Sequence, residues 1–335
     1  MSKILKLGII IIIVIALGYV LFTSRSTTPK KTSTKPLPII RIAASAPAVP
    51  HFLTQVITLR GLDKKYGFQM QIKPIDPTQT VAAIVDGAVD VAVVGVIPTA
   101  RINLEGQRVQ LFAPALKLSC PFVVQADSQI HTFSDLTGKR LGTPTKSGAT
   151  YQTLQVIMHA LNINIDTNYN IVEGEFFALP ALLQKGDIDA LAGICDEIDN
   201  GKFMASGQYR AISSIDDLSK KAYGDQSEVI LSGFGAKAEW LQHNKQTAAH
   251  FVQAMTEAEQ YITNHPEVYD LPTIKNQYSL TDKEIPYIKT FITTYHNYEF
   301  TDWSVIVQNL NTLLKDAQSM GIIKQVPSPS IFITL

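Results

Sequence analysis

Two kinds of hydrophobic spacing alternate along the chain from about Ile39 onward. Short apolar runs typical of strands are separated by segments whose apolar positions recur every three to four residues, the period of a helix. The run IIRIAASA predicts the first strand, and the segment from His51 to Gly67, with Phe52 and Val56 on its apolar stripe, predicts a helix. This alternation predicts an α/β protein with mainly parallel sheets and helices on both faces.

The same order of elements occurs twice. The first half continues with the strand FQMQIKPI, the helix TQTVAAIVDG and the strand AVDVAVVG. The second half repeats the order with GKRLGT, GATYQTLQVIMHALN, YNIVEG, FFALPALLQKG and DIDALAGI. Gly87 and Asp90 correspond to Gly186 and Asp189, and each glycine is expected to end a helix in the left-handed conformation. The repeat predicts two lobes of the same architecture.

The segments outside these halves connect the lobes. LFAPALKLSCPFVVQAD predicts one strand that leaves the first lobe and one that enters the second. SEVILSGFGAK predicts a strand that returns to the first lobe, and one long helix, AEWLQHNKQTAAHFVQAMTEAEQYITN, follows it. The predicted organisation is two lobes on a two-stranded hinge with a cleft between them. Lobe 1 comprises residues 39–119 and 232–335, and lobe 2 comprises residues 120–231.

The start of the chain differs from the rest. Lys3 and Lys6 precede an unbroken apolar run at residues 7–22, whose length suits a signal peptide or a short anchor. Residues 1–24 are therefore predicted to be a signal peptide or an N-terminal membrane anchor, and residues 25–38 a flexible spacer. We expect an exported protein, periplasmic or at the cell surface, cleaved after Ser26 or anchored by residues 7–22. A membrane tether on a cytosolic domain is the alternative.

Composition and charge narrow the class of protein. With 46% hydrophobic and 17% charged residues among 335, the chain is typical of well-packed globular proteins. Its 29 basic and 29 acidic residues cancel, so no positive field favours nucleic acid, and none is expected as a partner. Cys120 and Cys195 permit one disulfide in an exported protein. Two cysteines in a domain this large are more often separate buried residues, which is the expectation here.

Candidate binding residues lie where strands lead into helices, because ligands of open parallel sheets bind beyond the carboxyl ends of the strands. TPTKSGATY is the strongest such loop. Ser147 or Thr150 can cap the helix, Gly148 allows close approach to backbone, and Tyr151 can stack on a ligand. The candidate ligand-binding residues are Ser45, His51, Thr78, Gln79, Gly95, Thr99, Ser119, Ser147, Gly148, Thr150, Tyr151, Glu175, Cys195, Asp196 and Glu197.

Alternatives stay open at these loops. The segment at Ser147 could be an ordinary helix start without a ligand, and His51 a simple polar residue at the mouth of its helix. Charge in the loops leans negative, with Asp76, Glu175, Asp196 and Glu197 against Lys117 and Lys146. If two of these acids face the cleft, a ligand with an amine or amidine-like nitrogen is favoured over an anion. Otherwise the acids only start helices.

The sequence resembles the solute-binding proteins of ATP-driven (ABC) importers for nitrate, alkanesulfonates, taurine and thiamine precursors. The resemblance rests on GLDKKYGF, VAAIVDGAVDVAVVG, SDLTGKRLGTPTKSGATYQTLQ, LPALLQKGDIDALAGICDEIDNG and MGIIKQVPSPSIFI. It implies a type II periplasmic-binding-protein fold from about Ile39 to Phe332, with the loop at Ser147 bordering the ligand. Cys195 stands where the resemblance often places an aromatic residue, beside a retained Asp196.

The expected function is that of a receptor that closes its lobes on a solute. Its expected partners are a small molecule, an ABC permease with its ATPase, and the membrane through the N-terminal segment; we expect a monomer. Catalytic residues, a metal site and a cofactor are not expected, because the histidines are scattered and no nucleophile motif is present. A membrane-anchored sensing domain is the main alternative. An enzyme on this fold is a weaker one, since the Cys-Cys-Cys-Phe-Cys motif of the family's pyrimidine-forming relatives is absent.

Overall fold

The structure is a computed structural model that describes residues 36–44, 49–75, 79–175 and 178–335, with the side chains of residues 49–51 excepted. Residues 37–335 form one compact unit. The predicted signal peptide or anchor, and nearly all of the predicted spacer, lie outside the described residues. Within the described ranges, no helix combines the length and apolar character that crossing a membrane requires.

One five-stranded sheet comes from the two ends of the folded unit. Its strand order is β2-β1-β3-β10-β4. The first three strands are parallel, and β10 runs antiparallel to both of its neighbours, so the sheet is mixed. The strands are β1 (Ile39–Ala43), β2 (Gln69–Lys73), β3 (Val91–Gly95), β4 (Val109–Lys117) and β10 (Ile230–Lys237).

The other sheet repeats this arrangement. Its order is β7-β6-β8-β5-β9, again with three parallel strands and one antiparallel strand, β5, inserted before the edge. The strands are β5 (Pro121–Gln125), β6 (Arg140–Thr143), β7 (Asn170–Glu173), β8 (Ala190–Ala192) and β9 (Tyr209–Ser214). Gly87 and Gly186 both have a left-handed φ, of 73° and 74°. The two-lobed α/β fold and its internal repeat are thus confirmed, although β9 was not predicted.

Fourteen α-helices of the described residues cover the sheets. They are α1 (Val49–Arg60), α2 (Leu62–Lys65), α3 (Thr80–Val85), α4 (Val96–Leu104), α5 (Ala149–Ala160), α6 (Ile165–Asn168), α7 (Leu179–Lys185), α8 (Glu197–Ser206), α9 (Ile215–Tyr223), α10 (Ala238–His243), α11 (Lys245–Asn264), α12 (Pro272–Tyr278), α13 (Ile285–Tyr295) and α14 (Trp303–Ser319). Phe133–Leu136 and Pro266–Asp270 are 3₁₀ helices.

Two helices that the hydrophobic pattern predicts as continuous are broken. Gly61 has a φ of 63° and separates α1 from α2, because a left-handed residue ends the hydrogen-bond ladder. Asn244 separates α10 from α11, and its side-chain amide donates to the carbonyl of Trp240 at 2.9 Å. Apolar periodicity continues across both breaks, so the pattern alone did not reveal them.

The aspartate of the repeated turn holds the sheet together in both lobes. Asp90 accepts from the guanidinium of Arg41 at 2.6 and 3.1 Å and from the Arg41 backbone N–H at 2.8 Å. Asp189 has the same contacts with Arg140, at 2.7, 3.2 and 2.8 Å. Each pair ties one strand, β1 or β6, to the turn that precedes its parallel neighbour in the sheet, β3 or β8, so the repeat serves structure at this position.

The two sheets share a continuous core. One buried apolar cluster includes Ala92 of the first sheet, Phe122 of the second and Leu310 of α14. Helices that follow β10 also contact elements of the second sheet: α14 packs against α5, and α13 packs closely against α8. At that crossing a Cβ atom on Gly201 would overlap Ile288, so the two backbones are near contact. The described lobes are therefore packed together around their junctions.

Candidate functional site

The start of α4, directly after β3, meets the start of α5 at the junction between the two lobes. Gly95 is the N-cap of α4, and a Cβ atom built on it would overlap the Cβ of Ala149, the first residue of α5. The start of each helix has backbone N–H groups without intrahelical partners. The Thr99 hydroxyl donates to the carbonyl of Gly95 at 2.7 Å, so this predicted ligand donor is used within its own helix.

The loop TPTKSGATY leads into α5 as predicted, but its capping differs. Gly148 is the N-cap, without a side-chain cap, whereas Ser147 is exposed and Thr150 half-buried. The prediction that Ser147 or Thr150 caps the helix is therefore wrong. Tyr151 is buried, and its hydroxyl donates to Asp166 at 2.8 Å. Burial and this contact raise the pKa of Tyr151. Because the phenol donates to Asp166, it is held within its own lobe.

The loop after β8 is fixed by a disulfide. Cys195 is bonded to Cys120, so the expectation of two separate cysteines is wrong. Both sulfurs are buried, and the bond joins the hinge segment before β5 to the candidate loop. Gly193 lies against Pro144 and Thr150 of its own lobe. The sequence predicts that Gly95 faces residues 193–197 across the cleft, but its closest contact is with the start of α5.

Asp196 and Glu197 form the acidic end of this loop. Asp196 is the N-cap of α8 and accepts from the N–H of Asp199 at 2.7 Å. Burial, with the nearby charge of Asp199, raises the pKa of Asp196 well above its usual range. Glu197 is 0% exposed, and burial also raises its pKa, against the effect of its hydrogen bonds. The two acids are therefore enclosed and do not lie at a solvated rim.

Residues that sequence reasoning missed surround Glu197. Its Oε1 accepts hydrogen bonds from Tyr269 at 2.8 Å and from Tyr298 at 2.7 Å. The ring of Tyr269 stacks on Phe52 of α1, with centroids 4.3 Å apart, and Tyr278 meets Phe52 edge-on at 5.8 Å. These tyrosines lie in the C-terminal region, where the sequence shows only helical periodicity. No local pattern indicated that they reach α8.

Several buried polar side chains near the junction have no hydrogen-bond partner among the described residues. Ser119, a predicted site residue, is 1% exposed, and its hydroxyl is one of these groups. Gln152 and Thr153 are others; they lie one turn along α5 from Ala149, on the helix face that Ala149 shares. Thr143, at the end of β6, adds another unpartnered hydroxyl. Together they offer donors and acceptors without formal charge.

The remaining predicted residues fall into two groups. Gln79 and Glu175 are exposed. Ser45, Thr78, Asp76 and the side chain of His51 lie outside the described residues. Within the described part of the chain, no group of three or more His, Cys, Asp and Glu residues could hold a metal ion.

Comparisons with known proteins agree with this architecture. The family model described as NMT1/THI5 like matches residues 33–268. The periplasmic aliphatic sulphonate binding protein SsuA from Escherichia coli is similar in structure, with a TM-score of 0.66 at 17% identity over 86% of this chain and 95% of that chain. No curated protein sequence matches the chain significantly.

Two further solved structures are informative. The alkanesulfonate-binding protein SsuA from Xanthomonas axonopodis pv. citri, bound to MOPS, has a TM-score of 0.66 at 13% identity over 90% of this chain and all of that one (100%). The desulfurization enzyme DSZB has a TM-score of 0.57 at 14% identity over 87% of this chain and 94% of that chain. At these identities the likeness shows the fold, which solute-binding proteins and an enzyme share.

Proposed function

Since the chain belongs to the NMT1/THI5-like family, we propose that it is a solute receptor that closes two lobes on a small organic molecule. The observation that carries the proposal is the meeting of the lobes at Gly95 and Ala149, where two helix N-termini approach each other and Gly193, in the loop after β8, lies against Thr150. Lobe closure of this kind encloses a solute and stabilises the closed state by the free energy of binding.

The proposed partners are a permease of the ABC type and its ATPase. The two SsuA proteins are sulfonate-binding proteins by their names. The resemblance described above, to solute-binding proteins of ABC importers, supports these partners. A closed receptor presents one surface built from both lobes, whereas an open receptor does not. A permease can therefore distinguish the loaded state by shape, and we propose that the receptor acts as a monomer.

The proposed location is outside the cytoplasm. The apolar run at residues 7–22 directs the chain to a membrane, where it is cleaved or kept as an anchor. The residues up to 38 then serve as a spacer, with residues 39–119 and 232–335 as lobe 1 and residues 120–231 as lobe 2. The disulfide between Cys120 and Cys195 supports this location, because such bonds persist in oxidising compartments.

Catalysis is the second candidate, favoured by the shared fold of the enzyme DSZB. The groups best suited to chemistry are committed elsewhere: Cys195 is bonded to Cys120, and the phenol of Tyr151 donates to Asp166. A thiol nucleophile would first require reduction of that bond. We therefore propose binding without turnover.

Native mass spectrometry of the full chain, purified in a detergent that solubilises its apolar N-terminal segment, tests the proposal. We expect a co-purified small molecule in one-to-one ratio. Adding the released molecule back should reduce the radius of gyration in small-angle scattering, and its mass should be unchanged after incubation with the protein. Chemical conversion of the molecule would contradict the receptor function and support the enzyme.

A further inference from the structure

One carboxylate oxygen of Glu197 accepts hydrogen bonds, and the other does not. Both phenol hydrogen bonds, from Tyr269 and Tyr298, end on Oε1. Oε2 is buried and has no partner with hydrogen-bonding geometry among the described residues. A buried carboxylate oxygen without a donor is destabilising, since the lost hydration is not replaced. The arrangement therefore leaves one buried acceptor without a hydrogen bond of good geometry, with the amide of Asn297 nearby.

The direction of this free oxygen is fixed by its neighbours. Two phenols donate hydrogen bonds to Oε1, so the carboxylate cannot rotate without breaking both. Tyr269 is itself held by its stack on Phe52, which belongs to α1 in lobe 1, whereas Glu197 starts α8 in lobe 2. These contacts thus join the two lobes, and they fix the orientation of Oε2. Tyr269 and Tyr298 position the carboxylate and are not themselves aimed at a ligand.

Other buried polar groups lie near Glu197. Asn297 lies close enough to Glu197 to favour its charged form and so lower its pKa, yet neither polar atom of its buried amide has hydrogen-bonding geometry with a described residue. The Oδ1 of Asn200 is also buried without such a partner. Asp196, adjacent in the chain, is 5% exposed. An anionic solute here would be buried in a region of low dielectric, beside carboxyl groups whose own charged forms burial already destabilises, at a considerable cost in free energy.

The basic side chains that could offset such a cost are occupied. Of the two lysines in the candidate loops, Lys117 pairs with Glu228 at 3.0 Å and Lys146 with Asp166 at 2.6 Å. Lys202, the basic residue of α8, donates to the carbonyl of Tyr278 at 2.9 Å, and its charge acts on Asp199 of the same helix, where it favours the ionised carboxylate. A sulfonate or nitrate would therefore lie beside carboxyl groups, and no unpaired lysine of these loops would offset its negative charge. A nitrogen donor could instead donate a hydrogen bond to a carboxylate oxygen.

We infer that the solute carries a nitrogen donor, an amine or an amidine-like group, which donates a hydrogen bond to Oε2 of Glu197. The inference rests on the proposed receptor function and names the class of its solute. Tyr269 and Tyr298 are positioning residues for this contact. Both lie beyond residues 33–268, the part of the chain that the family model matches, so the grip on Glu197 is a feature of this chain's C-terminal region.

Calorimetry and thermal shift on the full chain in detergent test the inference with four probes: putrescine, acetamidine, ethanesulfonate and nitrate. We expect binding of at least one nitrogen probe and no binding of the two anions. Glu197→Gln keeps an oxygen for the phenols but places an N–H₂ group where Oε2 stands. It should weaken binding of the nitrogen probe about tenfold or more. Glu105→Gln, an exposed control, should leave binding unchanged.

The pH dependence of binding distinguishes a positioning role of Tyr298 from a loss of packing. Tyr298→Phe removes a hydrogen bond that favours the charged carboxylate, so the pKa of Glu197 should rise. Because the nitrogen probe pairs best with ionised Glu197, its affinity should increase with pH, and the midpoint of this increase should shift upward in Tyr298→Phe. An unchanged midpoint would overturn the positioning role.

Other results separate this inference from the receptor function. Binding of ethanesulfonate or nitrate without binding of either nitrogen probe would overturn the inference and leave a receptor of anions. Failure of both nitrogen probes would also count against it. Full affinity of Glu197→Gln for a nitrogen probe, with its fold verified by circular dichroism, would show that Oε2 is not the acceptor. Only turnover of a bound solute would overturn the receptor itself.

Discussion

Glu259 shows at the residue scale how burial sets the charge of a side chain. It lies on the buried face of α11 and is 9% exposed. Burial raises its pKa to about 8 from an ordinary value of 4.5. Between these two values the folded protein binds a proton that the unfolded chain releases. Folding stability from this group is therefore present at low pH and is lost as pH rises from about 4.5 to about 8.

Glu259→Gln should remove this pH dependence. The amide is nearly isosteric with the protonated acid, so the variant and the natural protein should have similar melting temperatures near pH 5. Above pH 8 the variant should melt at the higher temperature, because it has no buried charge. Thermal unfolding across this range measures the difference, with the exposed Glu239→Gln as the control. Parallel curves for Glu259→Gln and the natural protein would refute the expectation.

At the scale of elements, the repeated arginine–aspartate pairs allow a comparison within one molecule. Asp90 and Asp189 have the same three contacts from Arg41 and Arg140, but their side chains are 9% and 28% exposed. A charged group that loses its partner is destabilised more when it is more buried. The two lobes therefore carry similar pairs in different solvent environments, and Arg41 in addition donates to the carbonyl of Gly87 at 2.9 Å.

Arg41→Met should lower the free energy of unfolding by about 2 kcal/mol, the range for hydrogen bonds to a partly buried charge. Arg140→Met should have a smaller effect, since water can replace the guanidinium at the more exposed Asp189. Urea unfolding at equal ionic strength measures both losses, and each arginine variant serves as the control for the other. A larger loss for Arg140→Met would contradict this explanation.

At the scale of the whole molecule, the contact between Gly95 and Ala149 decides how closely the lobes approach. Gly95 has φ −68° and ψ 146°, which any residue can adopt, so the need for glycine is one of space. Gly95→Val should hold the lobes apart and increase the radius of gyration in small-angle scattering. Ala88→Val, at an exposed position in the same lobe, is the control.

The double variant Gly95→Ala with Ala149→Gly sharpens this test. It moves one methyl group from one side of the contact to the other and should restore the closed dimensions that Gly95→Ala alone loses. A glycine in the first turn of α5 costs at most about 1 kcal/mol, so the fold should survive. If Gly95→Val and Gly95→Ala scatter like the natural protein, the approach of the lobes does not depend on this contact.

The candidate site was predicted only in part. Junction loops follow from strand order, so the spacing of strands and helices alone points to residues near Gly95, Gly148 and Asp196. Their individual roles do not follow from it: Thr99 and Tyr151 donate to groups of their own lobe, and Ser147 is exposed. A side chain's partner depends on its rotamer and on neighbours brought in by packing, and neither is encoded in the spacing of one loop.

The order of elements, the repeat of two halves and the crossing strands between them follow from the amino-acid sequence alone. These depend on local periodicity and on turn residues such as Gly87 and Gly186, which act within a few positions. Only the tertiary structure decided that Cys120 pairs with Cys195, 75 residues away, and that Tyr269 and Tyr298 grip Glu197 from 72 and 101 residues away. Such contacts form where segments far apart in the sequence pack together, so their partners follow from the folded arrangement and not from any local pattern.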